Sequence, residues 1–193
     1  YDDPNIYWIN PKKRGVIPID TFKISKSLKK EIKKNKFKIK VNENFRKVIE
    51  NCARKTKDRP TTWINKEIIE LYTSLHKIGH AHSVEAWLGN KLVGGLYGVS
   101  MGSAFFGESM FSTVSNASKV CLVYLIANLK IKNFNLLDTQ FINPYLKNLG
   151  AIEISREKYL KLLSKSLKKN ANFNKKITQS SIYDILQSMT QTS

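Results

Sequence analysis

Ten residues from Val120 to Leu129 form the longest nearly unbroken apolar run in the chain. A membrane-spanning helix needs about 20 such residues, so this run is half a span. A helix that is apolar on nearly every side has to be enclosed by other elements of a folded domain. Asn116 is a residue type that opens helices, and the pattern predicts a buried helix from there through Leu129. With 193 residues, 41% of them apolar and 10% aromatic, the chain has enough hydrophobic material to build one compact domain around it.

The flanking segments supply the layers. Phe45, Val48, Ile49 and Cys52 recur at helical spacing, and so do Ile68, Leu71, Tyr72 and Leu75 behind a cap at Asn65, which predicts two amphipathic helices. From His82 the rhythm shortens to strands: SVEAW, a turn at Gly89-Asn90, KLVGGLYGV, a turn at Met101-Gly102-Ser103, then AFFGESMF, an antiparallel meander. After the apolar helix come a strand over 136 to 142, a turn at Asn143-Pro144, the short run GAIEI and a helix capped by Ser155. The order helices, meander, buried helix, strand defines an α+β class. It is the order of acetyltransferase-like (GNAT-like) folds, with a mixed or antiparallel sheet flanked by helices. Past Leu167 the pattern fades, although Ile182, Ile185 and Leu186 permit one terminal helix.

Lys and Arg number 33 against 15 Asp and Glu, a formal charge of +18. The excess is +8 over residues 1 to 40, +4 over 41 to 155 and +6 over 156 to 193, so the middle is an ordinary surface and the two ends carry the cations. This sign and size attract polyanions. A helix capped by Ser25 would turn Leu28 and Ile32 inward and present Lys26, Lys29, Lys30, Lys33 and Lys34, a cluster suited to phosphate although any one lysine is as well explained by solvation. The division expected is a basic stretch over 1-40, a globular domain over 41-167 and a polar tail over 168-193. The chain begins at Tyr1 with neither Met nor a signal-peptide pattern, which predicts a further upstream segment.

Cys52 and Cys121 form no disulfide framework and no Cys-x-x-Cys, so a reducing, cytoplasmic setting is expected. His76, His80 and His82 lie close together but lack the fourth ligand of a structural metal site; they are expected to be structural, with no metal. Glu108 lies among bulky apolar neighbours and either faces water at a strand edge or is hydrogen-bonded in a cleft. Strand alternation sends Asp138 and Gln140 to one face and Leu137, Thr139 and Phe141 to the other, which makes the polar pair either a satisfied internal network or part of a site. Trp63 and Tyr72 offer rings that stack on a base or fill a core.

Several runs together carry a resemblance: Tyr7-Trp8-Ile9-Asn10-Pro11 with Arg14-Gly15, Thr62-Trp63-Ile64, and Gly79 to Trp87. They continue with Leu92 to Val99, Gly107 to Ser112 with Asn116 to Lys119, and Asp138-x-Gln140 ending at Leu149-Gly150-Ala151. In this order, over roughly residues 5 to 163, the chain resembles the bacterial leucyl/phenylalanyl-tRNA–protein transferases. The resemblance implies an acetyltransferase-like enzyme that moves Leu or Phe, and weakly Met, from its tRNA to acceptor proteins beginning with Arg or Lys, marking them for N-end-rule degradation. It implies no cofactor; no membrane association and a monomer are expected. Carried over residue by residue, Trp63 and Tyr72 surround the terminal adenosine and Glu108 holds that end. Leu96, Phe105 and Leu137 form the side-chain pocket. Asp138 and Gln140 are catalytic, Ser112 and Asn143 adjoin them, and the lysine helix faces the tRNA.

The chemistry asked of such a site is modest. An aminoacyl ester is already activated and a peptide α-amine has a pKa near ~8, so placing amine against ester, worth up to roughly 7 to 11 kcal/mol, should dominate. Asp138 would orient the amine and Gln140 would align it with the ester, or the two would relay a proton between them; the sequence leaves both roles open. An acetyl-CoA enzyme would carry a Gly-rich pyrophosphate loop before a helix, whereas the glycines here lie inside the meander. A non-catalytic basic RNA-binding module is the alternative that these residues leave open.

Overall fold

The computed structural model describes residues 9–56, 60–176 and 178–189; the Tyr7-Trp8 part of the first motif lies outside them. A seven-stranded sheet forms the centre. Its strands are β1 (Lys13–Ile17), β2 (Lys38–Val41), β3 (Ala81–Leu88), β4 (Lys91–Met101), β5 (Ala104–Ser112), β6 (Leu136–Gln140) and β7 (Ile152–Ser155). The spatial order is β2-β3-β4-β5-β6-β1-β7. All neighbours are antiparallel except β5 and β6, which run parallel. The α+β class with a mixed sheet and flanking helices is therefore observed, and β3 to β5 are the expected meander.

The apolar run is the middle of α4 (Ala117–Ile131), in which eleven residues are buried, so burial on nearly all sides replaces amphipathicity. It lies across β3, β4 and β5, and its outer side is covered by α7 (Gln179–Ser188) and α1 (Lys26–Lys33). Leu28, Ile182, Leu186 and Met189 enter that core. On the opposite face α2 (Phe45–Ala53) and α3 (Lys66–Lys77) pack on the meander, and α6 (Arg156–Leu167) packs over β1, β6 and β7. Ser25, Asn44, Asn65, Asn143 and Ser155 each accept a backbone N–H at a helix start, as polar residues at such positions do.

The structure differs from the sequence reading in four places. Leu71, expected on the inner face of its helix, is 54% exposed, because α3 leans on α2 and β3 by one edge and buries no residue fully. The strand expected over 136 to 142 stops at Gln140, leaving Phe141 exposed. The turn at Asn143-Pro144 starts a short helix, α5 (Pro144–Asn148), with Pro at its first turn. Strands β1 and β2, for which the sequence carries no strand signal, pair into the same sheet as the rest, β1 between β6 and β7 and β2 against β3.

Two buried polar clusters brace the layers. Glu85 is fully buried and accepts from Asn44 N (2.7 Å), Ser83 Oγ (2.9 Å) and Trp87 Nε1 (2.9 Å), tying β3 to the start of α2. His82, 1% exposed, accepts at Nδ1 from Asn42 Nδ2 (3.2 Å) and so donates from Nε2 to Ser100 Oγ (2.9 Å). Its ring stacks on Phe173 at 4.3 Å, and Lys132 Nζ bonds the Phe173 carbonyl and Asn128 Oδ1. His76 stacks on Phe45 and bonds the Ala81 carbonyl. Burial above all, with help from His76, Lys132 and His80, pushes the His82 pKa down from 6.5 to about 3.

A base whose pKa is depressed on folding is protonated more readily in the unfolded chain, so stability is lost as pH falls from about 6.5 toward about 3. Urea unfolding at pH 7, 5.5 and 4.5 should show a loss approaching ~1.4 kcal/mol per pH unit from this group. The His82→Gln variant should show a correspondingly flatter dependence; equal slopes would contradict the assignment.

Candidate active site

The parallel pairing of β5 and β6 lasts only three residue pairs, Ala104 with Leu136, Phe105 with Leu137 and Phe106 with Asp138. Both strands then continue apart. Each carries one extra residue at that point: Glu108 on β5 interrupts the register with β4, and Thr139 on β6 interrupts the register with β1. Such bulges bend a strand and re-aim its side chains. Here they open the sheet.

The opening holds a cavity of about 220 Å³ lined by Leu96, Met110, Leu122, Leu125 and Leu137 on its apolar side and by Glu108, Thr139, Gln140 and Asn143 among its polar groups. Tyr145 and Leu146 of α5 close it from above. Sites for drug-sized ligands run to roughly 300–1,000 Å³, so this one suits a fragment the size of an amino-acid side chain. Tyr97, fully buried, also lines it, and its hydroxyl and that of Thr139 have no hydrogen-bond partner among the described residues.

From Tyr97 a ladder of rings leads outward. Tyr97 meets Tyr72 edge to face at 5.3 Å, and Tyr72 meets Trp63 at 6.5 Å, where Trp63 is 46% exposed. Glu108 lines the cavity, so of the two readings of Glu108 from sequence the one that has it in a cleft is observed. Burial raises its pKa to about 7; the neighbouring Tyr72 hydroxyl opposes the rise, Asp138 adds to it and Arg14 opposes it.

Asp138 and Gln140 do not share a face. The bulge at Thr139 breaks the alternation, and Gln140 takes a left-handed backbone with φ of 57°, a conformation that costs a residue with a side chain roughly 1–2 kcal/mol. Gln140 lines the cavity together with Leu137 and Thr139, whereas Asp138 has no exposure and lies on the α6 side of the sheet. Its carboxylate accepts from Arg14 Nε (3.0 and 3.1 Å), Arg14 Nη2 (2.8 Å), Tyr159 Oη (2.6 Å) and the Gln140 backbone N–H (2.7 Å). The expected direct reach of Asp138 to an incoming amine is thus absent from this geometry.

The other expected positions divide. Leu96, Leu137, Glu108 and Asn143 line the cavity, and Asn143 also caps α5 through Leu146 N at 2.8 Å. Phe105 does not line it: its ring is sealed in the α4 core against Phe173 at 5.2 Å. Ser112 lies outside as well, donating to the Val114 carbonyl (2.8 Å) and accepting from Ser118 N (3.3 Å) at the start of α4. Lys26, Lys29, Lys30 and Lys33 stand on α1 and Lys34 caps it, with Lys34 paired to Glu31. Sequence reasoning missed Met110, Leu122, Leu125 and Tyr145 as cavity residues and Arg14 and Tyr159 as partners of Asp138. Arg14 was visible only as part of a motif. Among the described residues no group of His, Cys, Asp or Glu is placed to hold a metal ion, and no helix is long and apolar enough to cross a membrane.

Paired bulges thus open the sheet onto a small, mostly apolar cavity. The family described as leucyl/phenylalanyl-tRNA protein transferase matches residues 16–164. A curated protein named leucyl/phenylalanyl-tRNA–protein transferase, from Zymomonas mobilis subsp. mobilis, is 56% identical over 162 residues, 84% of this chain and 60% of its own length. The chain belongs to the leucyl/phenylalanyl-tRNA–protein transferase family, and spans about 60% of the length of that relative. Two solved structures are similar at a TM-score of 0.46: a functionally unknown conserved protein from Staphylococcus epidermidis (11% identity, 74% of this chain and 57% of that one) and L-PGS from Bacillus licheniformis (12% identity, 92% and 64%).

Gly15 faces Gln140 across the β1–β6 bulge, and a Cβ there would come within 2.9 Å of Thr139 Oγ1 and Ile142 Cγ1. Gly15→Ala therefore has to displace the bulge. We expect a loss of about 1–3 kcal/mol in chemical denaturation; a variant of unchanged stability would show that the bulge has slack.

Proposed function

We propose that the chain catalyses transfer of Leu or Phe, and weakly Met, from aminoacyl-tRNA to the N-terminal Arg or Lys of acceptor proteins. The observation that carries this reading is the 220 Å³ cavity at the strand opening, lined mostly by apolar side chains with a few polar groups among them. Leu96, Met110, Leu122, Leu125 and Leu137 would receive the aminoacyl side chain. Desolvation excludes polar side chains readily, while one methyl group yields only ~1–3 kcal/mol of discrimination, hence the tolerance of Met. The exposed ring of Trp63 and the Tyr72 ring behind it suit stacking on the terminal adenosine, with Glu108 as its hydrogen-bond acceptor. Gln140 would align the amine with the ester, and Asn143 would supply a polar edge.

In this reading the division at residues 40 and 167 is one of role. Residues 1-40, the basic remnant of a small N-terminal domain, turn the α1 lysines to the tRNA, 41-167 form the acetyltransferase-like catalytic domain, and 168-193 are a polar tail, of which α7 packs on α4. The protein would act as a cytoplasmic monomer, without cofactor, in N-end-rule tagging for degradation.

Incubation with radiolabelled Leu-tRNA and an acceptor beginning with Arg should place label in protein, with much less from a tRNA charged with a polar amino acid. Binding of charged and uncharged tRNA alike with no label transferred would instead identify a basic RNA-binding module.

Glu108 gives a second check. A carboxylate that titrates at about 7 accepts hydrogen bonds fully only above that pH, so affinity for a non-hydrolysable aminoacyl-adenosine should rise between pH 6 and pH 8. Comparison with Glu108→Gln, which removes this titration and leaves that of the ligand, should show the variant binding with a flatter profile.

A further inference from the structure

A carboxylate offers about four lone-pair directions, and Asp138 commits them all to protein donors on three elements: Arg14 of β1, Tyr159 of α6 and the backbone of Gln140. With no exposure and no free lone pair it has nothing to offer an amine arriving through the cavity. Its one link to the cavity is the 2.7 Å bond from the Gln140 N–H to Oδ1, made where the chain takes its left-handed turn. Tyr159 is doubly engaged. Its hydroxyl donates to Asp138 at 2.6 Å, and its ring lies 5.1 Å from the Arg14 guanidinium carbon, so cation, ring and carboxylate form one unit. The ring is 8% exposed and packs with Val16, Leu136 and Ile154.

We propose that Tyr159 and Arg14 are positioning residues for the transfer step: they fix Asp138, Asp138 fixes the left-handed backbone of Gln140, and Gln140 presents its amide to the reacting atoms. The proposal rests on the transferase reading of the cavity. It makes α6, which does not line the cavity, part of the machinery that sets its geometry. Misplacement of a reacting group by about 1 Å can cost on the order of 100-fold in rate, so the hydroxyl should show its effect in turnover.

Tyr159→Phe keeps the ring, its packing and its contact with Arg14 and removes only the donor. In steady-state transfer kcat should fall about 10- to 100-fold, with KM for Leu-tRNA nearly unchanged. Arg14→Lys, which keeps the charge and loses the fork, should give the same kind of loss. In a Gln140→Ala background Tyr159→Phe should cost little more, since both act through one group. Amide hydrogen exchange at Gln140 should quicken by about tenfold or more in Tyr159→Phe, a readout independent of turnover. Unchanged exchange, a loss confined to KM, or effects of the two substitutions that simply multiply would overturn the proposal. A parent chain that transfers no label would overturn the transferase reading, while exchange at Gln140 would still decide whether Tyr159 controls that backbone.

Discussion

The Asp138 carboxylate joins parts of the chain that lie far apart in sequence. Arg14 lies 124 positions away in sequence and Tyr159 lies 21 away; the first belongs to a strand inserted between β6 and β7, the second to a helix on one face of the sheet. A buried charge with only one partner is costly, and one fully enclosed by donors is a point of high definition. Here the definition is delivered to the end of β6, where the backbone leaves ordinary strand geometry. The bulge at Thr139, the positive φ of Gln140 and the missing side chain of Gly15 are three expressions of the same constraint.

That constraint also explains why a cavity exists in a sheet whose core is otherwise closely filled. Two parallel strands that stayed paired would leave no space between them. Bulges at Glu108 and Thr139 part them after three residue pairs, and α4 supplies Leu122 and Leu125 as the floor beneath the gap. The apolar lining thus comes from α4 and from β4, β5 and β6 alike, and the polar lining from the bulged parts of β5 and β6 and the start of α5. The aromatic series from Tyr97 to Trp63 extends the same surface outward over α3.

Much of this was legible in the sequence wherever a local period expressed it. The α4 run, the two helices on Phe45 and Ile68, and the meander follow from spacing alone. Strands β1 and β2 did not, because KRGVI and KIKV are short and lysine-rich, and what makes them strands is pairing with residues far along the chain. The cavity was half legible. Leu96, Leu137 and Glu108 came through the family resemblance, while Leu122 and Leu125 read as ordinary helix core. Phe105 and Leu137 share a face, as alternation requires, yet Phe105 lies on the paired side of the opening and Phe173, from a segment read as polar tail, covers it. Alternation failed for Asp138 and Gln140 because a bulge is a long-range product: its cause, the fit of β6 against Gly15 and Arg14, is written at the other end of the chain.

The placement of β1 has a bearing on how the molecule is made. Residues 13 to 17 find their two neighbours only at 137 to 140 and 152 to 155, so β1 is made well before it can be seated. Long loops closed late slow folding, and until β6 has emerged this basic strand has no sheet to join. The meander and α4 can condense earlier during synthesis, whereas the carboxylate of Asp138, which needs Arg14 on one side and Tyr159 on the other, is enclosed only once α6 has been made. Biosynthetic order thereby leaves the opening between β5 and β6 undefined until most of the surrounding scaffold exists.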